Sequence, residues 1–595
     1  MNETIPARFD RQVATRSAHP LFLTKRGGAY HPITWQQADN DVVALSNYLL
    51  IRQVNPGDRL LILSENRPEW AMADLAIQSV GAWTVPLYPN LLPEDLAMIA
   101  NNCEPVGAIA SSPDQIRKLL AIIPRVPSLR WIIALDPHDQ ASNLLTPWSE
   151  ALAKGSEQGT RLEEVRQARR SRLQPDETAT LLYTSGTTGE PKGVMLTHRN
   201  LLSNVDACLR ILPITSQDLH LSFLPLSHIF ERMAGWYLML SAGACVAYAE
   251  SMETIALNMA EAHPTVMLGV PRIFEKLYAR IHEHLQQASP FKRRIATWAL
   301  NVGQRATAHQ ATGRRLPLPL AVQRWLADHL VYRALRKRLG GRLKFFVSGS
   351  APLSKEIAEF FYWVGIIILE GYGLTETSPV ITVNRPPRPR FGSVGQRIPD
   401  VEVRIAEDGE ILTRGPGVMQ GYYRNPQATA GVLVDGWFST GDIGHLDQDG
   451  YLFITDRKKD LIKTAGGKFV APQKLESLFV TDPHIAQAFV YGDRHPYCVA
   501  LIVPQIERLR RYAQEQEIAS RSLQELVREP RIIEFYWTLV QAKQQGCPSF
   551  EQVKKIALLD QEFSQTSGEL TPTLKAKRSV IAQRYASLLQ SLYEP

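Results

Sequence analysis

The sequence has no apolar run long enough to cross a bilayer. Its longest, 360–369, spans ten residues against the roughly twenty that a membrane-spanning helix needs, and it reads as a helix end followed by a buried strand. Cysteine is scarce: Cys103, Cys208, Cys245, Cys498 and Cys547 are scattered and never at CxxC spacing. Neither a disulfide framework nor a zinc site follows, and a reducing cytoplasm fits best. Residues 1–8 lack the basic-then-apolar order of a secretory leader, so cytoplasmic localisation is expected. Internal repeats and low-complexity tracts are missing too. What remains is an ordinary globular composition, 45% apolar and 21% charged, in 595 residues. That length exceeds one hydrophobic core, so two or more domains are expected.

The net charge of +7 conceals an asymmetry. Residues 289–345 hold thirteen Lys or Arg and one acid, Asp328, a local balance of +12 that leaves the remainder of the chain at −5. Such a block attracts phosphates, on a membrane surface, a nucleic acid or a nucleotide tail. Phe291, Ile295, Trp298, Ala299 and Val302 recur at helical spacing, as do Val322, Trp325, Leu326 and Leu330 beyond the break at Pro317 and Pro319. Two amphipathic helices are expected, with a solvated basic face over a packed apolar stripe as the plain alternative to a binding role.

Elsewhere, strand and helix signals alternate. Strands are expected at 59–63, 82–86 and 106–110, with helices at 68–79 and 93–101 between them. A second such unit runs from a strand at 343–348, through a tight loop at 349–353 and a helix capped by Ser354, to a strand at 366–369. Alternation of this kind argues for βαβ units and parallel sheet, whose carboxyl edge binds ligands. Beyond about Asp400 the pattern turns to short strands at 402–405, 410–413 and 450–454, and after the charged stretch 456–460 a smaller α+β unit runs to the C-terminus. The expected fold is therefore α/β: a large domain of βαβ sheets with a β-rich subdomain over 1–455, a hinge at 456–460 and a small mobile α+β domain over 461–595.

The most informative segment is 183–195, Tyr-Thr-Ser-Gly-Thr-Thr-Gly-Glu-Pro-Lys-Gly-Val-Met. It packs three glycines, four Ser or Thr hydroxyls and one lysine between strand-like runs. Such a loop can fold tightly and aim N–H groups, hydroxyls and an ammonium at a polyphosphate. It is not a Walker A loop, because Pro191 precedes Lys192 and Gly193 follows it.

As it stands, this segment resembles the phosphate loop of the adenylate-forming ligases, the family of acyl-CoA synthetases, luciferases and peptide-synthetase adenylation domains. Five further segments match that family in order: Leu-Pro-Leu-Ser-His-Ile-Phe-Glu-Arg at 224–232, Glu-Gly-Tyr-Gly-Leu-Thr-Glu at 370–376, Gly-Trp-Phe-Ser-Thr-Gly-Asp at 436–442, Asp-Arg-Lys-Lys-Asp-Leu-Ile-Lys-Thr-Ala-Gly at 456–466 and Leu-Thr-Pro-Thr-Leu-Lys at 570–575. The run at 269–278, the long insertion after it and the ending at 568–578 look most like the long-chain fatty acyl-CoA synthetases. A Thr-Leu-Lys replaces the more usual Ser-Gly-Lys before the C-terminal lysine.

The resemblance implies ATP-dependent activation of a fatty carboxylate to acyl-AMP with release of pyrophosphate, then transfer to the thiol of CoA with release of AMP. It assigns Lys192, Thr184, Ser185, Gly186, Thr187, Thr188 and Gly189 to the ATP phosphates, Thr375 to the α-phosphate and Glu376 to Mg²⁺. Tyr372 and Gly373, beside Gly349, Ser350, Ala351 and Pro352, would hold adenine, and Asp442 and Arg457 the ribose. His228 would stand beside the acyl carboxylate and thiol entrance. Lys575 would reach the carboxylate only when the small domain closes, and Lys459 would be the hinge that exchanges it for the loop around Gly466. Long-chain fatty acid, ATP and CoA are the expected partners. An acyl-carrier-protein acceptor is the alternative, peripheral contact with an anionic membrane is open, and nucleic acid is not expected.

Overall fold

The computed structural model describes residues 3–140, 142–184, 191–311, 315–519, 522–571 and 576–594. Two large twisted sheets dominate. In the first, the strands Thr178–Thr184, Trp83–Leu87, Arg59–Leu63, Gly107–Ala110, Ile132–Ala134 and Leu145–Pro147 lie side by side and all parallel. Lys192–Thr197 and then Gly421–Tyr422 extend it antiparallel at one edge. The second sheet has a parallel centre of Ile368–Gly373, Phe345–Ser348, Val266–Gly269, Leu219–Ser222, Cys245–Tyr248 and Pro20–Arg26, with antiparallel strands at both edges.

These strands are near-continuous apolar runs because both faces are covered. Helices Trp35–Ile51, Pro68–Ser79 and His198–Leu209 lie in the main core between the sheets. The helix over Pro68–Ser79 starts on a proline whose fixed φ and missing N–H suit a first helical turn. It is buried along all its length except at Glu69, and two of its buried polar residues, Asp74 and Gln78, stand one turn apart on one face.

Antiparallel strands Glu402–Ile405, Glu410–Arg414, Trp437–Leu446 and Leu452–Arg457 form a third sheet beside this body. Downstream, Ile485–Tyr491, Cys498–Pro504 and Val553–Leu558 make a three-stranded sheet with helices packed on it. The apolar clusters divide at the same place: those of the two large sheets draw on residues 5–438, those of the three-stranded sheet on residues 462–593.

The structure differs from the sequence reading in several places: the strand expected at 366–369 runs over Ile368–Gly373, so Tyr372 and Gly373 are strand residues. The strand expected at 450–454 runs over Leu452–Arg457, so Asp456 and Arg457 are ladder residues and the turn occupies 458–460. Ser354 holds the N-cap position of the helix Lys355–Trp363, yet its side chain makes no capping bond. The two stripes of the basic block also behave differently. Ala299 and Val302 are buried, but Val322, Trp325, Leu326 and Leu330 face outward, because the helix packs through Ala327 and Tyr332 instead.

Candidate active site

The strand pair Phe345–Ser348 and Ile368–Gly373 runs parallel, with Ser348 opposite Glu370, so the loop 349–353 and the segment from Leu374 leave these strands at one edge. That edge is the usual ligand crevice of an open α/β sheet. Ser350 turns the loop with a φ of 70°, and Ala351 and Pro352 are exposed. Gly373 is required by close approach: a Cβ there would stand 1.7 Å from the Pro379 carbonyl oxygen.

Asp442 gathers the first cluster. It lies on the strand Trp437–Leu446 directly across from Arg457, whose Nε is 3.2 Å from Oδ1. The hydroxyl of Tyr372 donates to Oδ2 at 2.7 Å. Burial, followed by the charge on Asp442, drives that hydroxyl well above its ordinary pKa, so it stays a donor. Tyr372 and Arg457, 85 residues apart in sequence, thus converge on one buried carboxylate, a group suited to accepting both hydroxyls of a ribose. Tyr372→Phe removes a bond to a charged acceptor, a kind that contributes about 1.5–3 kcal/mol. Asp442 keeps Arg457, which places the expected rise in KM for ATP at the lower end, roughly tenfold. Steady-state kinetics check it, and an unchanged KM would dissociate Tyr372 from nucleotide binding.

The second cluster is built on the strand Lys192–Thr197. The ends of the phosphate hairpin, Thr184 and Lys192, are paired across the ladder. Tyr422, opposite Val194 in the neighbouring strand, sets its ring 5.1 Å below the Lys192 ammonium and donates its hydroxyl to Glu376 Oε1 at 2.9 Å. A cation over a tyrosine face is held electrostatically. Lys192 and Glu376 are therefore poised around one aromatic residue. Burial raises the Glu376 carboxyl above its ordinary value, with Tyr422 among the groups pulling it back. Thr375 opens the short turn Thr375–Thr377 that carries Glu376. Asn204, from the helix His198–Leu209, clamps that turn by donating to the carbonyls of Thr377 (3.3 Å) and Val380 (2.8 Å).

His228 accepts from the Phe230 amide through Nδ1 at 3.2 Å, which leaves Nε2 to carry the proton of a neutral ring. The Phe230 ring packs against Gly349, where a Cβ would come within 3.1 Å of it, so the histidine segment is seated on the 349–353 loop. Four residues on, Arg232 is fully buried. It donates to Thr180 Oγ1 at 2.6 Å and Tyr237 Oη at 2.9 Å and is ion-paired with Asp74. Asp74 also accepts from Thr84 (2.7 Å), Gln78 (2.8 Å) and Tyr237 (2.7 Å). This network ties the histidine segment to the strand that ends in the phosphate hairpin.

Of the remaining predicted residues, Gly466 lies in the exposed turn between Ile462–Lys463 and Phe469–Val470, where its neighbour Ala465 donates to the His495 carbonyl at 2.8 Å. Ser185, Gly186, Thr187, Thr188, Gly189 and Lys575 lie outside the described residues. The sequence reading passed over Tyr422, Asn204 and the Asp74–Arg232 pair. For the last the signal was available: charged residues inside otherwise apolar runs are buried only when paired.

Glu370, at the start of the adenine segment, is buried with one amide donor, Gly392 N at 3.3 Å, and burial pushes its carboxyl up to about 8. An unfolded glutamate titrates near ~4.3. Between those values the unfolded chain binds fewer protons than the folded one, so this group's contribution to stability declines as pH rises. Glu370→Gln is expected to melt above wild type near pH ~8 and to converge with it below about pH 4. A pH-independent gap in melting temperature would contradict this.

The chain's segments have known counterparts. A family model described as AMP-binding enzyme matches residues 9–423, and one described as AMP-binding enzyme C-terminal domain matches 459–595. The long-chain-fatty-acid–CoA ligase FadD15 of Mycobacterium bovis is 35% identical over 574 residues, 95% of this chain and 93% of that one. Long-chain-fatty-acid–CoA ligase 5 of Rattus norvegicus is 30% identical over 626 residues, covering 100% of this chain and 89% of its own. Among solved structures, the anthranilate CoA ligase AuaEII in complex with anthranoyl-AMP superposes with a TM-score of 0.74 at 18% identity over 99% and 98% of the two chains, a likeness of fold. With the family models covering both units and relatives of this similarity matching nearly end to end, the chain belongs to the AMP-binding, adenylate-forming enzymes, in the acyl-CoA ligase family.

Proposed function

We propose that the protein is a long-chain fatty acid–CoA ligase working in two half-reactions. In the first, a carboxylate oxygen of the fatty acid attacks the α-phosphorus of ATP. The bond to the β-phosphate oxygen breaks, and acyl-AMP and pyrophosphate form. In the second, the CoA thiolate attacks the acyl carbonyl, the carbon–oxygen bond to AMP breaks, and the thioester forms. The observation that carries this reading is the convergence of Tyr372 and Arg457 on Asp442 beside a Lys192–Tyr422–Glu376 group. This gives a diol-accepting carboxylate and a phosphate-binding cation on one body.

The difficulty of the first step is bringing an anion to a polyanionic nucleotide, so catalysis is mostly positioning and charge neutralisation. Lys192, with Thr184, Ser185, Gly186, Thr187, Thr188 and Gly189, would hold the β- and γ-phosphates, and Thr375 the α-phosphate. Glu376 suits Mg²⁺: it is a hard carboxylate, oriented by the Tyr422 hydroxyl on Oε1. Held there, Mg²⁺ would supply positive charge against the negative charge of the nucleotide phosphates. Asp442 and Arg457 would orient the ribose, and Tyr372 with the 349–352 loop the base. His228 would line the acyl and thiol entrance. No general base is needed for the second step, because a thiol of pKa ~8.5 is partly ionised near neutrality. The domain division at 456–460, with Lys459 as pivot and Lys575 and Gly466 on the moving part, follows the split between the apolar clusters.

The acceptor and the chain length decide between this reading and a fatty acyl–carrier-protein synthetase. The test is thioester formation on free CoA and on a phosphopantetheinylated carrier protein, with fatty acids of increasing length. Transfer to CoA with a preference for long chains is expected. Transfer to the carrier protein alone would overturn it.

A further inference from the structure

The basic insertion presents its apolar stripe to solvent. Helix Leu318–Ala327 continues through a wide turn, Asp328–Tyr332, into Arg333–Arg338. Along it, Leu318 (79% exposed), Val322 (52%), Trp325 (59%) and Leu330 (60%) recur on one face. The opposite face is anchored: Ala327 and Tyr332 are buried, and the Tyr332 hydroxyl donates to the Ala299 carbonyl at 2.5 Å. The stripe is therefore displayed by a rigid support, and a contiguous exposed apolar surface of this kind marks an interaction site.

Its surroundings are strongly cationic. Arg293, Arg294, Arg315, Lys337, Arg338 and Arg342 are all exposed. Asp328, the one acid within 289–345, is already ion-paired with Arg333 (3.2 Å) and Arg336 (2.7 Å). No helix of the described residues is long and apolar enough to cross a membrane.

We infer that this face is a monotopic docking surface for an anionic lipid bilayer, with Leu318, Val322, Trp325 and Leu330 entering the headgroup–acyl boundary and the surrounding arginines and lysines engaging lipid phosphates. Charge complementarity selects this occupant. A second copy of the chain would bring its own +12 block against the first, and a nucleic-acid duplex, whose outer surface is phosphate and sugar, offers no apolar layer to Leu318, Val322 and Leu330. A basic rim around an apolar face containing tryptophan is the arrangement by which helices lie in a membrane interface. One helix connects this support to the loop 349–353. The preceding helix, Pro290–Ala311, packs on Lys355–Trp363, where Gly303 meets Trp363, and that helix follows directly from the 349–353 loop. Docking does not depend on the ligase reading, since it is measured without substrates.

The test is co-sedimentation of the full chain with phosphatidylcholine vesicles, with and without phosphatidylglycerol, across a salt series. Binding to the anionic vesicles only is expected, declining steeply with salt because screening acts over ~8 Å at physiological ionic strength. Lys337→Gln with Arg338→Gln and Arg342→Gln should weaken partition by roughly fivefold per charge. Trp325→Gln with Leu330→Gln should weaken it by roughly tenfold or more and abolish quenching of tryptophan fluorescence by bromine-labelled acyl chains. Unchanged circular dichroism would show that both variants fold. Equal binding to neutral and anionic vesicles, binding to neither, wild-type binding by the Trp325 variant, or a wild-type dimer that this variant dissociates would each overturn the proposal.

Discussion

Lys575→Ala is expected to abolish acyl-adenylate formation while leaving thioester formation from supplied acyl-AMP largely intact. The two half-reactions make different electrostatic demands. On the proposed reading, adenylation would bring a fatty carboxylate against the α-phosphate of a nucleotide held by Lys192 and the 184–192 segment, and the ammonium of Lys575 would lie between those anions. Removing one group positioned on developing charge typically costs roughly 10²–10³ in rate. Thioester formation begins from acyl-AMP, in which the two anions are already joined, and the family's domain rotation would by then have carried Lys575 away. Single-turnover assays of each half-reaction separate the cases. Equal loss of both would mean that Lys575 acts on a shared element of the site and that no exchange of domains occurs.

Lys459→Pro should show the opposite profile. The turn after Arg457 is short: the amides of Asp460 (3.0 Å) and Leu461 (3.0 Å) both return to the Arg457 carbonyl, and Lys458 is tethered to Asp408 (2.6 Å) and Glu410 (2.8 Å). Arg457 is locked in its strand and Lys458 is tied to the third sheet, and Lys459, which follows them in the turn, is the proposed pivot. Proline fixes φ near −65° without touching Asp442 or Lys192. Adenylation should survive and the thioester step should collapse by roughly 10²-fold, the scale set by losing a positioned catalytic group. Wild-type rates in both half-reactions would move the pivot elsewhere within 455–461.

Much of the fold was legible in residue order alone. The strand at 59–63 and the helix at 68–79 fall where apolar periodicity and the leading proline put them. The neighbouring loops at 349–353 and 372–376 could be assigned to one sheet edge because both follow short buried strands. The site was legible wherever its chemistry sits in contiguous motifs, and it was opaque where it depends on partners far apart in sequence. Tyr422 bridges Lys192 and Glu376 only because the strand Gly421–Tyr422 joins the phosphate hairpin across more than 200 residues. The Asp74–Arg232 pair, likewise, joins two segments that nothing local connects. The stripe at 322–330 was left open between packing and binding for a related reason: periodicity identifies an apolar face but not whether anything covers it, and Tyr332 pulls the other side of the helix inward.

The most direct test of the central claim is a product assay on the full chain with ATP, Mg²⁺ and a long-chain fatty acid, with CoA withheld or supplied. The account predicts fatty-acid-dependent release of pyrophosphate in both cases, with enzyme-bound acyl-AMP accumulating without CoA and AMP released in step with acyl-CoA when CoA is present. Release of ADP and phosphate in place of AMP and pyrophosphate, or pyrophosphate release indifferent to the fatty acid, would contradict it.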